Sequence, residues 1–198
     1  MPTTILAAPI LTPPSPTENR CYTADELLEI STDSGHRYEL IQGNLITMAP
    51  AGAEHGDTAL GLGARIRVFA DDNDLGAVFA AETGFLLEQK PDTVRAPDVG
   101  FVRKARLPNG KVPRSYFPGA PDLAVEVVSP GDRADEIDDK VKCWLRYGTR
   151  LVWLLVPKTR SITVYRSDGT AQVLNLNDTL DGEDVLPGFR FPVSRLFR

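Results

Sequence analysis

Cysteine and histidine are scarce in this chain of 198 residues, with two of each: Cys21, Cys143, His36 and His55. Two cysteines build no disulfide framework and form no CxxC pair here, which argues against a thiolate or imidazole zinc site. So little cysteine fits a reducing compartment, and the expected location is cytoplasmic. Positive charge is not in excess either. The 22 lysines and arginines stand against 27 acidic residues, a net charge of −5. That balance argues against a surface built wholly for nucleic acid and leaves room for a local basic groove. No apolar run is long enough to cross a bilayer, so no membrane association is expected. ILAAPIL at residues 5–11 imitates a signal core, but no basic residue precedes it and Pro9 interrupts it. There is no GxSxG elbow, P-loop or GxGxxG to support other common hydrolase or nucleotide chemistries.

What the chain does contain is 42% apolar and 25% charged residues, the mixture of a soluble globular protein. Its length suits one domain, taken as residues 21–198, after an arm over residues 1–20. That arm carries Pro2, Pro9, Pro13, Pro14 and Pro16 and reads as a flexible extension or an extended oligomer contact. TADE at 23–26 is a capping box opening a short helix. YELIQGNLITM alternates across a turn at Gln42, Gly43 and Asn44, a hairpin pattern. His55, Ala59, Leu62, Ile66 and Phe69 share one face of a helix over about 54–72. Ala77 to Leu87 reads as one strand kinked near Gly84. PDVGFV and PDLAVEVV are strands, a helix follows from about Asp132 to Tyr147, and LVWLLV and SITVYR are strands again. The aromatics of VLPGFRFPVSRLF are expected to dock on the body. From Glu54 to Val156 the order is α, β, β, β, α, β, which predicts an α/β (α+β) architecture, a mixed sheet flanked by helices.

One residue in this pattern is out of place. Glu126 interrupts the apolar run of Leu123, Ala124, Val125, Val127 and Val128. Burying a lone carboxylate costs several kcal/mol, about enough to require a partner. Asp98 is a second acid in an apolar strand, 28 residues earlier (126 − 98). If neighbouring strands bring the two together, their repulsion is relieved by a shared divalent cation. A hard ion such as Mg²⁺, or Mn²⁺, takes oxygen ligands of this kind together with water and phosphate oxygens. At 100° per residue, Lys140 falls between Trp144 and Tyr147 on the edge of the apolar stripe of the following helix. It either reaches the carboxylates, where its ammonium offsets transition-state charge, or snorkels with its stem over the two rings.

The ordered set YELIQGNLITMAP, PDVGFV, PDLAVEVVSPGDRADEIDDKVKCWLRYG, VWLLVP and LPGFRFPVSRLF resembles the Uma family of restriction-endonuclease-like proteins, in the PD-(D/E)xK nuclease superfamily. PD alone carries nothing, since it occurs at Pro91, Pro97 and Pro121. The resemblance covers about Thr23 to Phe197. It implies a restriction endonuclease-like αβββαβ core, with the N-terminal helix and hairpin added. It places the strand aspartate on Asp98 and the (D/E)xK acid on Glu126. The lysine position of that motif is Val128, so the resemblance assigns the basic role to Lys140 on the next helix. It also marks Glu39, as a further metal ligand or water-positioning acid, and His55, as a contact to phosphate.

RKARLPNGKVPR holds Arg103, Lys104, Arg106, Lys111 and Arg114 and no acid. It follows the Asp98 strand, and reads either as a phosphate-binding loop beside the site or as a solvated loop. Asp122 reads as a turn acid, and Gln42 and Glu82 are weaker candidates. The function expected is metal-dependent phosphodiester hydrolysis, with DNA as substrate and a homodimer as the working form. The rival reading is a non-catalytic nucleic-acid-binding or regulatory module on a degenerate nuclease scaffold.

Overall fold

The computed structural model describes residues 20–30 and 37–197. All but the last residue of the proline-rich arm, and His36, lie outside the described residues. Helix α1 (Ala24–Glu29) opens on the anticipated capping box, with Thr23 and Glu26 each satisfying the other's backbone N–H. Strands β1 (Arg37–Ile41) and β2 (Asn44–Met48) pair through a two-residue turn. That turn sets φ at +48° for Gln42 and +76° for Gly43. A Cβ on Gly43 would also fall 2.0 Å from Cys21 Sγ, so glycine is required there twice over.

Helix α2 (Ala53–Asp72) leads into β3 (Gly76–Ala80). Here the single kinked strand expected over 77–87 is corrected to two. The chain turns at Glu82, whose φ is +75°, and resumes as β4 (Phe85–Glu88) in a different sheet. Gly84 allows the change, because the Tyr116 ring lies 2.3 Å from where its Cβ would sit. β5 (Thr93–Arg95), which the pattern of alternation did not announce, returns antiparallel to β4. After β6 (Val99–Arg103) and β7 (Phe117–Pro118) come the apolar β8 (Leu123–Val127), helix α3 (Ala134–Arg146) and β9 (Leu151–Val156). β10 (Ser161–Arg166), β11 (Ala171–Leu174) and the short pair β12 (Thr179–Asp181) and β13 (Arg190–Pro192) complete the order.

The main sheet runs β11-β10-β9-β8-β6-β3, and the second runs β2-β1-β5-β4-β7. In the main sheet β8 and β9 are parallel and the other neighbours antiparallel. This is the mixed sheet, and α2, β3, β6, β8, α3, β9 are its αβββαβ core, with β4, β5 and β7 diverted to the second sheet. Period two splits β8: Leu123, Val125 and Val127 join Ala59, Leu62 and Ile66 of α2, whereas Ala124 packs with Val141 and Trp144 of α3. The C-terminal segment closes the α2 side with Leu186, Phe189, Phe191 and Phe197, and Phe189 stacks on Trp153 at 5.9 Å.

Asp122, 1% exposed at the start of β8, ties the loop after β6 to the sheet. It accepts from the Arg103 N–H (2.9 Å) and Nε (3.0 Å), and pairs with Arg106 Nη1 (3.0 Å). Asp122→Ala strips these charged hydrogen bonds from a buried acceptor. It is expected to cost about 3 kcal/mol of stability, read as a lower urea midpoint at unchanged slope.

Candidate active site

The polar centre lies where the end of β8, the approach to β6 and the first turn of α2 meet the inner face of α3. In the register that pairs Val99 with Val125, Asp98 comes opposite the Glu126 end of β8. Asp98 Oδ2 accepts the Val127 backbone N–H at 2.8 Å. Its Oδ1 lies 3.0 Å from His55 Nε2. The other ring nitrogen, Nδ1, is 2.9 Å from Ser129 Oγ. A carboxylate only accepts, so Nε2 carries the proton and Ser129 meets the opposite edge of the ring. Hydrogen bonding to Asp98 raises the His55 pKa above its ordinary value, and partial burial opposes that rise.

Glu126 faces α3, as the alternation of β8 demands. Trp144 Nε1 donates to its Oε1 at 2.7 Å, and Lys140 Nζ lies 3.4 Å from its Oε2. Burial pushes the Glu126 carboxyl up to about 7, against the lowering influence of Lys140 and with a further push from Asp98. The 3.4 Å contact is long for an ion pair, so the single lysine does not offset the desolvation. Lys140 in turn is held above its ordinary value by Glu126.

Glu39 lies on β1 and is buried, at 5% exposed. Its Oε2 takes Arg95 Nε at 3.0 Å and its Oε1 takes the Ala96 N–H at 3.1 Å. Among the described residues no three His, Cys, Asp or Glu side chains are grouped to hold a metal. Glu39 thus has a partner in the structure for both oxygens, Arg95 for one and the Ala96 N–H for the other. Its field still reaches the centre, where it raises both Glu126 and Lys140.

The first three cations of the basic run are each matched by an acid away from the centre. Arg103 is five residues along β6 from Asp98, about 16 Å at ~3.3 Å per residue. Arg103 and Arg106 bind Asp122, and Lys104 pairs with Asp74. Lys111 and Arg114 are exposed. Three residues escaped the sequence reading. Ser129 stands three residues after Glu126 with no spacing to mark it, Arg95 looked like an ordinary strand residue, and Trp144 was legible only as an apolar stripe position.

Two cavities flank Asp98. One, of about 320 Å³, is lined by Glu39, Arg95, Tyr116 and Lys140. The other, of about 530 Å³, lies between α2 and β3 and includes His55. Arg37 and Glu82, 3.9 Å apart, line both.

The carboxylates fit a divalent cation. Among the described residues, each of the four oxygens of Asp98 and Glu126 accepts one hydrogen bond, which leaves one lone pair on each. All four are hard donors, and two carboxylates completed by water and phosphate oxygens is a common Mg²⁺ arrangement.

A family model named Uma2 and described as "Putative restriction endonuclease" matches residues 24–194. No curated protein matches the chain. Among solved structures the chain is similar to a crystal structure described as "a putative nuclease belonging to DUF820" from Anabaena variabilis. The two are 22% identical, with a TM-score of 0.75 over 88% of this chain and 97% of that one. At that identity the likeness establishes a shared fold.

Trp144 reports directly on Glu126. A carboxyl raised from 4.5 to about 7 contributes stability that is complete below about 4.5 and is lost as pH rises through about 7. Tryptophan fluorescence is therefore expected to titrate with an apparent midpoint near 7, and stability to fall between pH 5 and 8. Glu126→Gln should abolish the fluorescence step and flatten the stability profile; a step that persists in this variant would contradict the assignment.

Proposed function

The chain belongs to the Uma2 family, described as putative restriction endonucleases, and from the geometry of its acidic centre we propose that it hydrolyses phosphodiester bonds in DNA with Mg²⁺ or Mn²⁺ held by Asp98 and Glu126. The observation that carries the reading is the convergence of these two carboxylates from adjacent strands, each oxygen with a lone pair to spare, beside the Lys140 ammonium. When bound, the cation polarises the phosphoryl oxygen and lowers the pKa of a coordinated water.

The chain's own groups do the rest. Trp144 and Lys140 fix the two oxygens of Glu126, and the Val127 N–H and His55 fix those of Asp98, so both carboxylates are oriented before substrate arrives. Lys140 holds the attacking water and offsets the charge that gathers on the phosphoryl oxygens. Water gives up one proton to solvent as its oxygen bonds to phosphorus, the bond to the departing oxygen breaks, and that oxygen takes a proton from solvent. His55, set between Ser129 and Asp98, is placed to contact a phosphate oxygen. Glu39, paired with Arg95, adds negative potential that favours the charged form of Lys140, while Arg95 itself opposes it.

Val128 at the usual lysine position favours the rival, a non-catalytic module. Lys140 answers it: its ammonium stands within hydrogen-bonding reach of Glu126, where the missing lysine would be needed. Cutting both strands of a duplex at one place takes two such sites, so a homodimer belongs to the proposal, as does a cytoplasmic location.

Plasmid cleavage in Mg²⁺ or Mn²⁺ is the test, paired with calorimetric Mn²⁺ binding. Asp98→Ala and Glu126→Ala are expected to abolish both cleavage and Mn²⁺ uptake. Lys140→Ala should keep Mn²⁺ binding and lose about 10²–10³-fold in kcat. Cleavage that survives either carboxylate substitution rejects the assignment, and a wild type that neither binds Mn²⁺ nor cuts establishes the rival.

A further inference from the structure

The larger of the two cavities has no part in holding a cation. It measures about 530 Å³, and its walls are Pro50, Ala59, Leu60, Gly63, Val78 and Ala80. His55 and Asp98 line it where it meets the acidic centre, and Arg37 and Arg67 are its cations. The smaller cavity, on the other side of Asp98, carries Arg37, Arg95 and Lys140. Glu39 and Glu82 line the smaller cavity with these cations, so a mostly apolar chamber and a charged one meet at Asp98.

We infer that the apolar cavity is a nucleobase subsite: it takes the unstacked base of the nucleotide next to the scissile phosphate, while the strand's phosphates run toward Lys140 on the side of the smaller cavity. The inference rests on the nuclease reading and adds the form of the substrate to it. A phosphate beside Asp98 carries its nucleoside into one of the two chambers, and the larger is the more apolar, with one acid besides Asp98, Glu82, where the smaller adds Glu39 and Lys140. A base has an apolar face that aliphatic walls accommodate and a charge-free edge that asks for no counterion. Leu60, 73% exposed, is the most exposed large hydrophobic residue among the described residues, and it stands on this wall. A base held in a duplex stack has no free face to lay on this wall, so the nucleotide must come from a single strand or be flipped out of a duplex.

The geometry offers a clean way to fill the cavity. Gly56 lines it, and a Cβ built on Gly56 meets nothing within 4 Å. Gly56→Phe is expected to occupy the space without displacing the backbone, and Ala64→Trp, from an exposed position on the same wall, is an independent second filling. Gly61→Ala, a helical glycine outside the cavity, is the control.

The experiment is fluorescence anisotropy of a labelled deoxyoligonucleotide in Ca²⁺, as a single strand, as a duplex, and as a single strand with one abasic site. Cleavage by the same proteins in Mn²⁺ and their calorimetric Mn²⁺ affinity are measured alongside. Both filled variants are expected to keep Mn²⁺ affinity and to lose about tenfold in single-strand binding, and the abasic strand to bind the wild type less tightly. Duplex binding that falls by the same factor identifies a flipped base; duplex binding untouched by the fillings identifies single strands as the source. Folded, Mn²⁺-competent filled variants that bind and cut every substrate as the wild type does overturn the subsite and leave the nuclease reading standing. A wild type that neither binds nor cuts any of the three removes the nuclease reading, and the subsite with it. Filled variants that turn from dimer to monomer in sedimentation, with oligonucleotide binding unchanged, overturn the subsite by giving the cavity to a second copy of the chain.

Discussion

The structure turns on a buried carboxylate whose protein partners are insufficient. Glu126 is 5% exposed, takes one short hydrogen bond from Trp144 and one long contact from Lys140, and faces a second acid in Asp98. A sequence selected for stability alone would put an aliphatic residue there, since replacing a strained buried charge by a well-packed apolar side chain is commonly neutral or favourable. The carboxyl instead stays, with its proton affinity raised to about 7. Such a group is poised to exchange its proton for a cation in the neutral range.

The constraint spreads outward from that residue. Because β8 alternates, placing Glu126 toward α3 sends Leu123, Val125 and Val127 toward α2, and one register therefore builds both the core and the site. The antiparallel pairing of β6 with β8 brings Asp98 to the same end of the sheet. At the opposite end the same pairing joins Asp122 to Arg103 and Arg106. One ladder thus carries Asp98 at one end and Asp122 at the other. Asp122 meets two guanidiniums, whereas Asp98 meets an imidazole and Glu126 a single ammonium.

Much of this was visible from local pattern. The two acids stood out because strands have period two and apolar strands do not tolerate charge, and Lys140 stood out because 100° per residue put it on the inward edge of α3. The division of 77–87 into two strands was not visible, because continuous apolar character is the same whether a chain stays in one sheet or crosses to another. The partners of Glu39 and Arg103 were not visible either, because each is matched by a residue distant in the chain: Glu39 by Arg95, 56 positions on, and Arg103 by Asp122, 19 positions on.

The sequence by itself determined the αβββαβ succession of the core, the faces on which Asp98, Glu126 and Lys140 lie, and the family resemblance, since all of these depend on residue type and short-range period. Only the tertiary structure decided which charges are free and which are matched, that Ser129 and Asp98 grip opposite edges of the His55 ring, and that an apolar cavity opens beside the acids. Those outcomes depend on where elements far apart in the chain cross. A crossing is set by the packing of the whole core, and no local spacing records it.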